Sequence, residues 1–241
     1  MKIEIQNIDI SYGILKRKKI VRDLSFDMQS GEIVILYGKN GVGKTSILRA
    51  ICGELPIEKG KILWNGKDLT NEMSKRRRLS SGNFESGKML YHYATLRENI
   101  LFNTNLLRSV DLEPITFSYN YFNYEKLLDK TIDEMSLGQR QKSSLICAFR
   151  KPAELYFFDE PDNGLDRSSI KEFCKIISNK PYNNSIVVIA THDSFLVKEV
   201  GSKIIFLSAD GFYKVVTKDL LPKDITQLDE YLCLWLQNEK V

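Results

Sequence analysis

The stretch Gly38-Lys39-Asn40-Gly41-Val42-Gly43-Lys44-Thr45 decides how the rest of this chain is interpreted. It satisfies the pattern G-x-x-x-x-G-K-[ST], in which backbone N–H groups surround phosphate oxygens. Its glycines let the backbone curl around an anion, and a following helix adds the positive end of its dipole. Lys44 can reach terminal phosphates, and the Thr45 hydroxyl can bind magnesium. The stretch therefore predicts a site for a nucleoside triphosphate.

The residues on either side of this loop fit the same interpretation. Ile33-Val34-Ile35-Leu36 forms an apolar run that predicts a buried strand, and residues 45–52 resemble a helix. A chance glycine-rich turn is the alternative. The alternative is disfavoured because the context of the loop fits as well as its pattern.

Size and composition favour a soluble globular protein. The 241 residues leave room for one large domain, or a core with a small insert. No apolar run approaches the roughly 18 residues of a membrane span, and the alternating N-terminus predicts a strand instead of a signal peptide. The four cysteines are isolated, which predicts neither a zinc site nor a disulfide framework but a reduced, cytoplasmic protein. A net charge of +4 is too small to predict a nucleic-acid partner.

Two local basic runs cover residues 16–19 and 75–78. Solvated loop charge is the first interpretation of both runs. Contact with anionic lipid head groups or with an acidic partner is the second.

Strand-like and helix-like segments alternate along the chain. Strands are expected within residues 3–10, 20–26 and 62–64, and the Asn65-Gly66 turn predicts a hairpin connection. Further apolar runs occupy residues 155–158, 186–190 and 204–207, whereas residues 83–150 look mostly helical, with a capping box at Thr95–Glu98. This alternation predicts a largely parallel α/β sheet, whose ligands bind beyond the carboxyl ends of the strands.

Polar residues follow two of these apolar runs. Asp159 and Glu160 come directly after residues 155–158, and His192 follows the run at 186–190. One acid can hold magnesium, and the next can polarise an attacking water as a general base. A histidine at a strand end is often structural. Here, however, His192 would face the crevice beyond the strand ends and contact the γ-phosphate region. The phosphate loop and both polar clusters are therefore expected to converge.

A second anion-binding surface is expected at residues 135–142, which read Met-Ser-Leu-Gly-Gln-Arg-Gln-Lys and open a helix. At this point the chain resembles the ATP-binding subunit of ABC transporters. In that family the phosphate loop of one subunit faces the signature L-S-G-G-Q of another across ATP. Ser136, Gly138 and Gln139 are retained here, while Leu137 replaces the first glycine. The resemblance implies recognition of the γ-phosphate in trans.

The resemblance extends over nearly all of the chain. Tyr12 lies 26 residues before Gly38, where the family places an aromatic residue that stacks on adenine. Residues 162–166 resemble the loop that usually contains S-A-L-D. The remaining matches are the magnesium-site Asp159, the catalytic Glu160, the loop's terminal Asp166 and the switch histidine His192.

One family element departs from the usual pattern. The family has a glutamine before its helical subdomain, but no glutamine occurs between Arg78 and Leu96. Glu85 is the best match, and a Glu there resembles the loop of bacterial lantibiotic and bacteriocin self-protection exporters. Asn83 or Ser86 could be the equivalent residue instead. Glu85 is predicted to take part in catalysis near magnesium.

An aromatic-rich segment covers residues 115–124. Ile115, Tyr119 and Phe122 share one face if the segment is helical. Packing within the helical subdomain is the first interpretation. The second is a groove that receives a short helix from a membrane subunit.

The resemblance implies a P-loop (RecA-like) core with an N-terminal β-rich subdomain and a helical insertion at about residues 83–150, together one ABC ATPase domain over 1–241. It implies hydrolysis of ATP with Mg2+, a second ABC ATPase subunit in a homo- or heterodimer, and a transmembrane transporter subunit at the cytoplasmic face of the membrane. The short segment after Leu207 and the Glu85 loop favour export. The alternatives are a non-transport ATPase of the superfamily, an unrelated P-loop kinase or GTPase, and an ATP-binding module with little turnover.

Overall fold

Two β-sheets and several helices make up the described part of the chain. The computed structural model describes residues 1–12, 18–84, 90–105, 122–149, 152–179, 184–222, 227–228 and 230–231. The strands are β1 (Lys2–Tyr12), β2 (Lys18–Gln29), β3 (Ile33–Tyr37), β4 (Lys59–Trp64), β5 (Lys67–Asp68), β6 (Ser80–Asn83), β7 (Leu155–Asp159), β8 (Ile186–Thr191), β9 (Lys203–Leu207) and β10 (Tyr213–Thr217). The helices are α1 (Lys44–Cys52), α2 (Met73–Leu79), α3 (Leu96–Asn105), α4 (Leu137–Phe149), α5 (Arg167–Ile177) and α6 (Ser194–Val200), with short 3-10 turns at Tyr124–Leu127, Ile132–Glu134 and Lys218–Leu220.

The N-terminal sheet is antiparallel, with the strand order β2-β1-β4-β5. Apolar residues alternate along β1, and Ile3 and Ile5 are buried. The predicted turn joins β4 to β5, and both Asn65 and Gly66 have positive φ, as the tightest hairpin turns require.

The second sheet has the strand order β10-β9-β3-β8-β7-β6. Neighbouring strands from β9 to β6 run parallel, and β10 runs antiparallel to β9. Every residue of β3, β7, β8 and β9 is buried. Their nearly continuous apolar sequences are explained by this burial, because strands covered on both faces need no polar side. The predicted α/β class with a largely parallel sheet is confirmed.

The register of this sheet brings three strand ends level. Tyr37 at the end of β3 pairs with Thr191 at the end of β8. Asp159 at the end of β7 pairs with Ala190. Whatever follows β3, β7 and β8 therefore emerges at one edge of the sheet.

Two elements differ from the sequence-based expectation. Helix α2 and strand β6 were not predicted, and the region expected to be helical from residue 83 begins with the last residue of β6. Helices α3 and α4 do lie in that region, and Thr95 and Glu98 form the predicted capping box at the start of α3.

The basic run at residues 75–78 is not simply solvated charge. It lies in α2, and the Arg76 side chain is fully buried. Its guanidinium donates hydrogen bonds to the carbonyl oxygens of Leu69, Thr70 and Ala50. Arg76 is therefore neither solvated nor available to a lipid or a protein partner, so both interpretations of this run are wrong for Arg76. Its side chain joins the end of α1 to the residues that precede α2.

Of the aromatic segment at 115–124, Phe122 and Tyr124 are buried in the core, as packing within the chain requires. Ile115, Phe117, Tyr119 and Tyr121 lie outside the described residues. Among the helices that the structure describes, none combines the length and the apolar composition needed to cross a bilayer.

Candidate nucleotide-binding site

The predicted phosphate loop connects β3 to α1. Gly41 and Gly43 adopt φ values of 84° and 106°, which residues with a side chain rarely tolerate. A Cβ atom on Gly43 would also lie 2.2 Å from Cγ2 of Ile20, and one on Gly38 would lie 2.6 Å from the carbonyl oxygen of Leu207. Glycine is therefore needed in this loop for its conformation and for close packing against β2 and β9.

The Lys44 side chain lies at the centre of the site and is only 5% exposed. Its Nζ donates hydrogen bonds to the carbonyl oxygens of Gly38, at 2.6 Å, and Lys39, at 3.2 Å. The same Nζ lies 3.0 Å from Oε1 of Glu160. A buried ammonium group needs such partners, because burial of an unpaired charge is costly.

Glu160 joins the phosphate loop to β8. While Oε1 contacts Lys44, Oε2 lies 2.7 Å from Nδ1 of His192. The backbone of Glu160 has the left-handed φ of 46°, and its N–H donates to the carbonyl oxygen of Ala190 at 2.7 Å. Non-glycine residues in this conformation are uncommon and are enriched at functional sites.

Thr45 and Asp159 form a further contact, which joins the end of the phosphate loop to the end of β7. The Thr45 hydroxyl donates to Oδ1 of Asp159 at 3.1 Å. Burial raises the pKa of Asp159, and the neighbouring Glu160 adds to this rise, while the Thr45 hydrogen bond and Lys44 oppose it. A hydroxyl beside a buried carboxylate is a donor set suited to Mg2+.

These side chains border one cleft of about 670 Å³, a volume typical of small-molecule sites. The N-cap of α1 is Gly43, which has no side chain to cap the first amides of the helix. The cleft is lined by Lys19, Ile20, Asn40, Gly41, Val42, Gly43, Lys44, Thr45, Ser46, Asp159, Glu160, Asn163, His192 and Ala209.

The predicted signature residues lie at the start of α4 and are not among those that line the cleft. The Ser136 N–H donates to Oε1 of Gln139, and the Gln139 N–H donates to Oγ of Ser136. This reciprocal pair caps the helix. Gly138 packs so closely that an added Cβ would lie 2.5 Å from the carbonyl oxygen of Gly164.

Asp166 is the N-cap of α5. Hydrogen bonds from the Ser168 hydroxyl and the Ser169 N–H hold the pKa of Asp166 below its usual range. In the described structure its carboxylate therefore serves the helix start.

Two predicted site residues cannot be placed. The Tyr12 side chain and all of Glu85 lie outside the described residues. Asn83, one alternative to Glu85, is buried and donates to Oγ of Ser144 on α4. Ser86, the other alternative, also lies outside the described residues.

Sequence reasoning did not assign five residues of the cleft lining to the site: Lys19, Ile20, Ser46, Asn163 and Ala209. Lys19 lies there because β1 pairs with β2 such that Tyr12 is opposite Lys18 and Ser11 is opposite Lys19. No signal in the sequence indicated this pairing, since the strands were expected only within residues 3–10 and 20–26.

A phosphate loop between a buried strand and a helix, with two acids and a histidine on neighbouring strand ends, defines a P-loop nucleoside-triphosphate-binding protein. The family model described as ABC transporter matches residues 21–163, more than half of the chain. The chain belongs to this family, as an ATP-binding domain of the ABC ATPases.

Individual relatives agree with this assignment. The lipoprotein-releasing system ATP-binding protein LolD of Buchnera aphidicola is 33% identical over 202 residues, which cover 80% of this chain and 85% of that protein. The sulfate/thiosulfate import ATP-binding protein CysA of Pseudomonas syringae is 27% identical, over 86% of this chain and 65% of that protein. A dimeric post-hydrolysis structure of the ATP-binding cassette MJ0796, bound to ADP and Pi, has the same fold, with a TM-score of 0.76 at 20% identity over 89% of this chain and 98% of that one.

Proposed function

We propose that this chain hydrolyses ATP with Mg2+ in the cleft and thereby powers export by a separate membrane subunit. The roles proposed for Lys44, Glu160 and His192 are based on their mutual contacts. The contacts Lys44–Glu160 and Glu160–His192, at 3.0 Å and 2.7 Å, join the phosphate loop to two strand ends. Such a charged chain of contacts beside a phosphate loop suits phosphoryl transfer.

The loop from Gly38 to Thr45 would hold the phosphates through its N–H groups and Lys44. The Thr45 hydroxyl and the Asp159 carboxylate would hold Mg2+, since their oxygens already lie 3.1 Å apart. Mg2+, when bound with ATP, neutralises charge on the phosphates. The Tyr12 ring would stack on adenine, as the family resemblance implies.

Glu160 would accept a proton from the attacking water. Both of its carboxylate oxygens have partners within the chain, Lys44 and His192. Phosphate oxygens of ATP would attract Lys44 and so release Oε1 for the water, while His192 keeps Oε2 in place and reaches the γ-phosphate region. Binding of ATP would thus activate its own general base.

Two copies of the cassette, or this chain and a related one, would complete each site. The residues Ser136, Gly138 and Gln139 of one chain would contact the γ-phosphate bound by the other, with Asp166 at the same interface. The MJ0796 cassette is a dimer, which supports this arrangement. The membrane subunit would hold the pair at the cytoplasmic face.

The proposal of export is based on the resemblance of the Glu85 loop to the loops of self-protection exporters. In this chain Glu85 would act near magnesium. Named relatives include both a releasing system and an importer. Vesicles containing this chain and the membrane protein that co-purifies with it would test the direction. ATP-driven movement of solute away from the cassette side supports export, and movement towards that side contradicts it.

Glu160→Gln tests the chemistry. The variant should bind ATP like the wild type but release phosphate about 100-fold more slowly or worse, because the water loses its base. It should also accumulate an ATP-bound dimer, visible by gel filtration. Wild-type turnover in Glu160→Gln would show that Glu160 does not have this role, and no turnover in the wild type with its membrane partner present would favour an ATP-binding module instead.

A further inference from the structure

Gln141 is a fully buried polar residue on α4 that the proposed chemistry does not use. Its Nε2 donates to the carbonyl oxygen of Pro161 at 2.9 Å and approaches that of Glu160 at 3.4 Å. Its Oε1 is buried and has no hydrogen-bond partner among the described residues. Burial of an amide with one unsatisfied end is unfavourable, so the position is not explained by stability alone.

The two carbonyl groups that Gln141 faces belong to the turn that carries Glu160. This residue has the left-handed φ of 46°, a conformation that persists only where the surroundings hold it. The turn is also held by its own hydrogen bonds, from the Asn163 N–H to the Glu160 carbonyl oxygen and from the Glu160 N–H to the Ala190 carbonyl oxygen. Gln141 adds hydrogen bonds to this turn from a side chain of α4.

Gln141 also lies close in sequence to the signature segment, which contains Ser136, Gly138 and Gln139. Gln141 lies two residues after Gln139, in the first turns of the helix that Ser136 caps. The start of this helix also touches the turn directly, because Gly138 packs against the carbonyl oxygen of Gly164. A shift of α4 would therefore move the Glu160 backbone through Gln141.

We propose that Gln141 is a positioning residue, which sets the orientation of the Glu160 carboxylate and makes it depend on the position of α4. The proposal rests on the proposed role of Glu160 as the base. Its consequence is that contact of the signature segment with a neighbouring chain is transmitted to Glu160 of the same chain.

A double-mutant cycle separates this role from a structural one. Phosphate release at saturating ATP and ATP affinity are measured for the wild type, Gln141→Met, Glu160→Gln and the double variant. Gln141→Met keeps the length of the side chain and removes the donor. It should lower turnover by about 10- to 100-fold, the effect of a misplaced catalytic group, and leave ATP affinity within about twofold. In the Glu160→Gln background it should have no further effect, because the group that it positions is already gone.

The matched control is Ser144→Ala, which removes a different buried polar group of α4, a hydroxyl that accepts a hydrogen bond from Asn83. This control should retain turnover. If Gln141→Met does not fold, Gln141→Glu keeps the shape, places an acceptor against both carbonyl groups, and should show the same loss.

Crystal structures of the variants supply a readout without turnover. In Gln141→Met the contacts of Glu160 to Lys44 and His192 should lengthen beyond hydrogen-bond distance. Unchanged contacts, normal turnover, or an equal loss in both backgrounds would overturn the proposal for Gln141. Normal turnover of Glu160→Gln alone would instead overturn the proposed role of Glu160.

Discussion

The Lys44 ammonium group has three oxygen partners among the described residues, and each would compete with a phosphate. We expect Lys44→Ala to weaken ATP binding by about 10- to 100-fold, because charged hydrogen bonds contribute roughly 1.5–3 kcal/mol. Titration calorimetry with ATP and Mg2+ measures this directly. Lys61→Ala, which removes an exposed lysine of β4, should bind ATP normally. Equal affinity in the two variants would refute the placement of the phosphates.

Asp162 accepts a hydrogen bond from the Thr191 hydroxyl beside two other acids. Burial raises the pKa of Asp162, and Glu160 and Asp193 raise it further, against the opposing Thr191 hydrogen bond. A carboxyl with a raised folded-state pKa binds its proton more tightly when folded, so its ionisation lowers the free energy of unfolding as pH rises above the unfolded value of 3.8.

Asp162→Asn removes that ionisation and can still accept the Thr191 hydrogen bond. The variant should therefore melt at a higher temperature than the wild type at pH 7, and the difference should shrink as the pH falls towards 4. Calorimetric scans across this range measure both melting temperatures. A difference that stays constant with pH would mean that the carboxyl ionises without cost in the fold.

The positions of several site residues could be predicted from the sequence alone. Asp159, Glu160 and His192 each follow an apolar run, and parallel strands place such residues at one edge. Gln141 was not predictable, since a glutamine near the start of a helix is usually solvated, and its contact with Pro161 depends on how α4 packs. The left-handed φ of Glu160 was not predictable either, because this conformation is usual for glycine and not for glutamate.

Helix α2 has one buried side chain, that of Arg76. Arg76→Met should lower the free energy of unfolding by roughly 3 kcal/mol, because it removes three charged hydrogen bonds, to the carbonyl groups of Leu69, Thr70 and Ala50. In a chain of this length, this corresponds to a melting temperature lower by roughly 6–12 °C. Thermal unfolding followed by circular dichroism measures it. The exposed neighbour Arg78 provides the control, and a similar small effect for Arg76→Met and Arg78→Ala would contradict the contacts.

Long apolar elements were predicted better than short polar ones. Strands β3, β7, β8 and β9 each follow from an uninterrupted apolar run, whereas β6 reads Ser-Ser-Gly-Asn and has little intrinsic preference for a strand. Strand β6 forms because its backbone pairs with that of β7. Gly82 belongs there because any Cβ would collide with the carbonyl oxygen of Phe157, at 1.9 Å. Helix α2 was missed because three consecutive arginines read as loop charge, and only the fold shows that one is buried.

The proposed pairing of cassettes can be tested by mixing two variants that are impaired in different parts of the site. Lys44→Ala impairs the phosphate loop, and Ser136→Glu places a negative charge on the exposed signature, where it would repel the γ-phosphate. If each site combines the loop of one chain with the signature of another, a mixed dimer keeps one intact site. Equal amounts mixed at random should then recover about a quarter of wild-type phosphate release, because half of the dimers are mixed and each has one of two sites. Recovery no greater than the average of the separate variants would exclude a shared site in a homodimer.

The described six-stranded sheet ends at β6, a strand of only four small or polar residues. Behind it lie β7 and β8, whose sequences LYFFD and IVVIAT are rich in residues that assemble into intermolecular cross-β structure when exposed. A short, polar edge strand offers few groups for pairing with another molecule. Substitutions that detach β6 would therefore expose the edge of β7, and their main result would be aggregation of the protein during synthesis and storage.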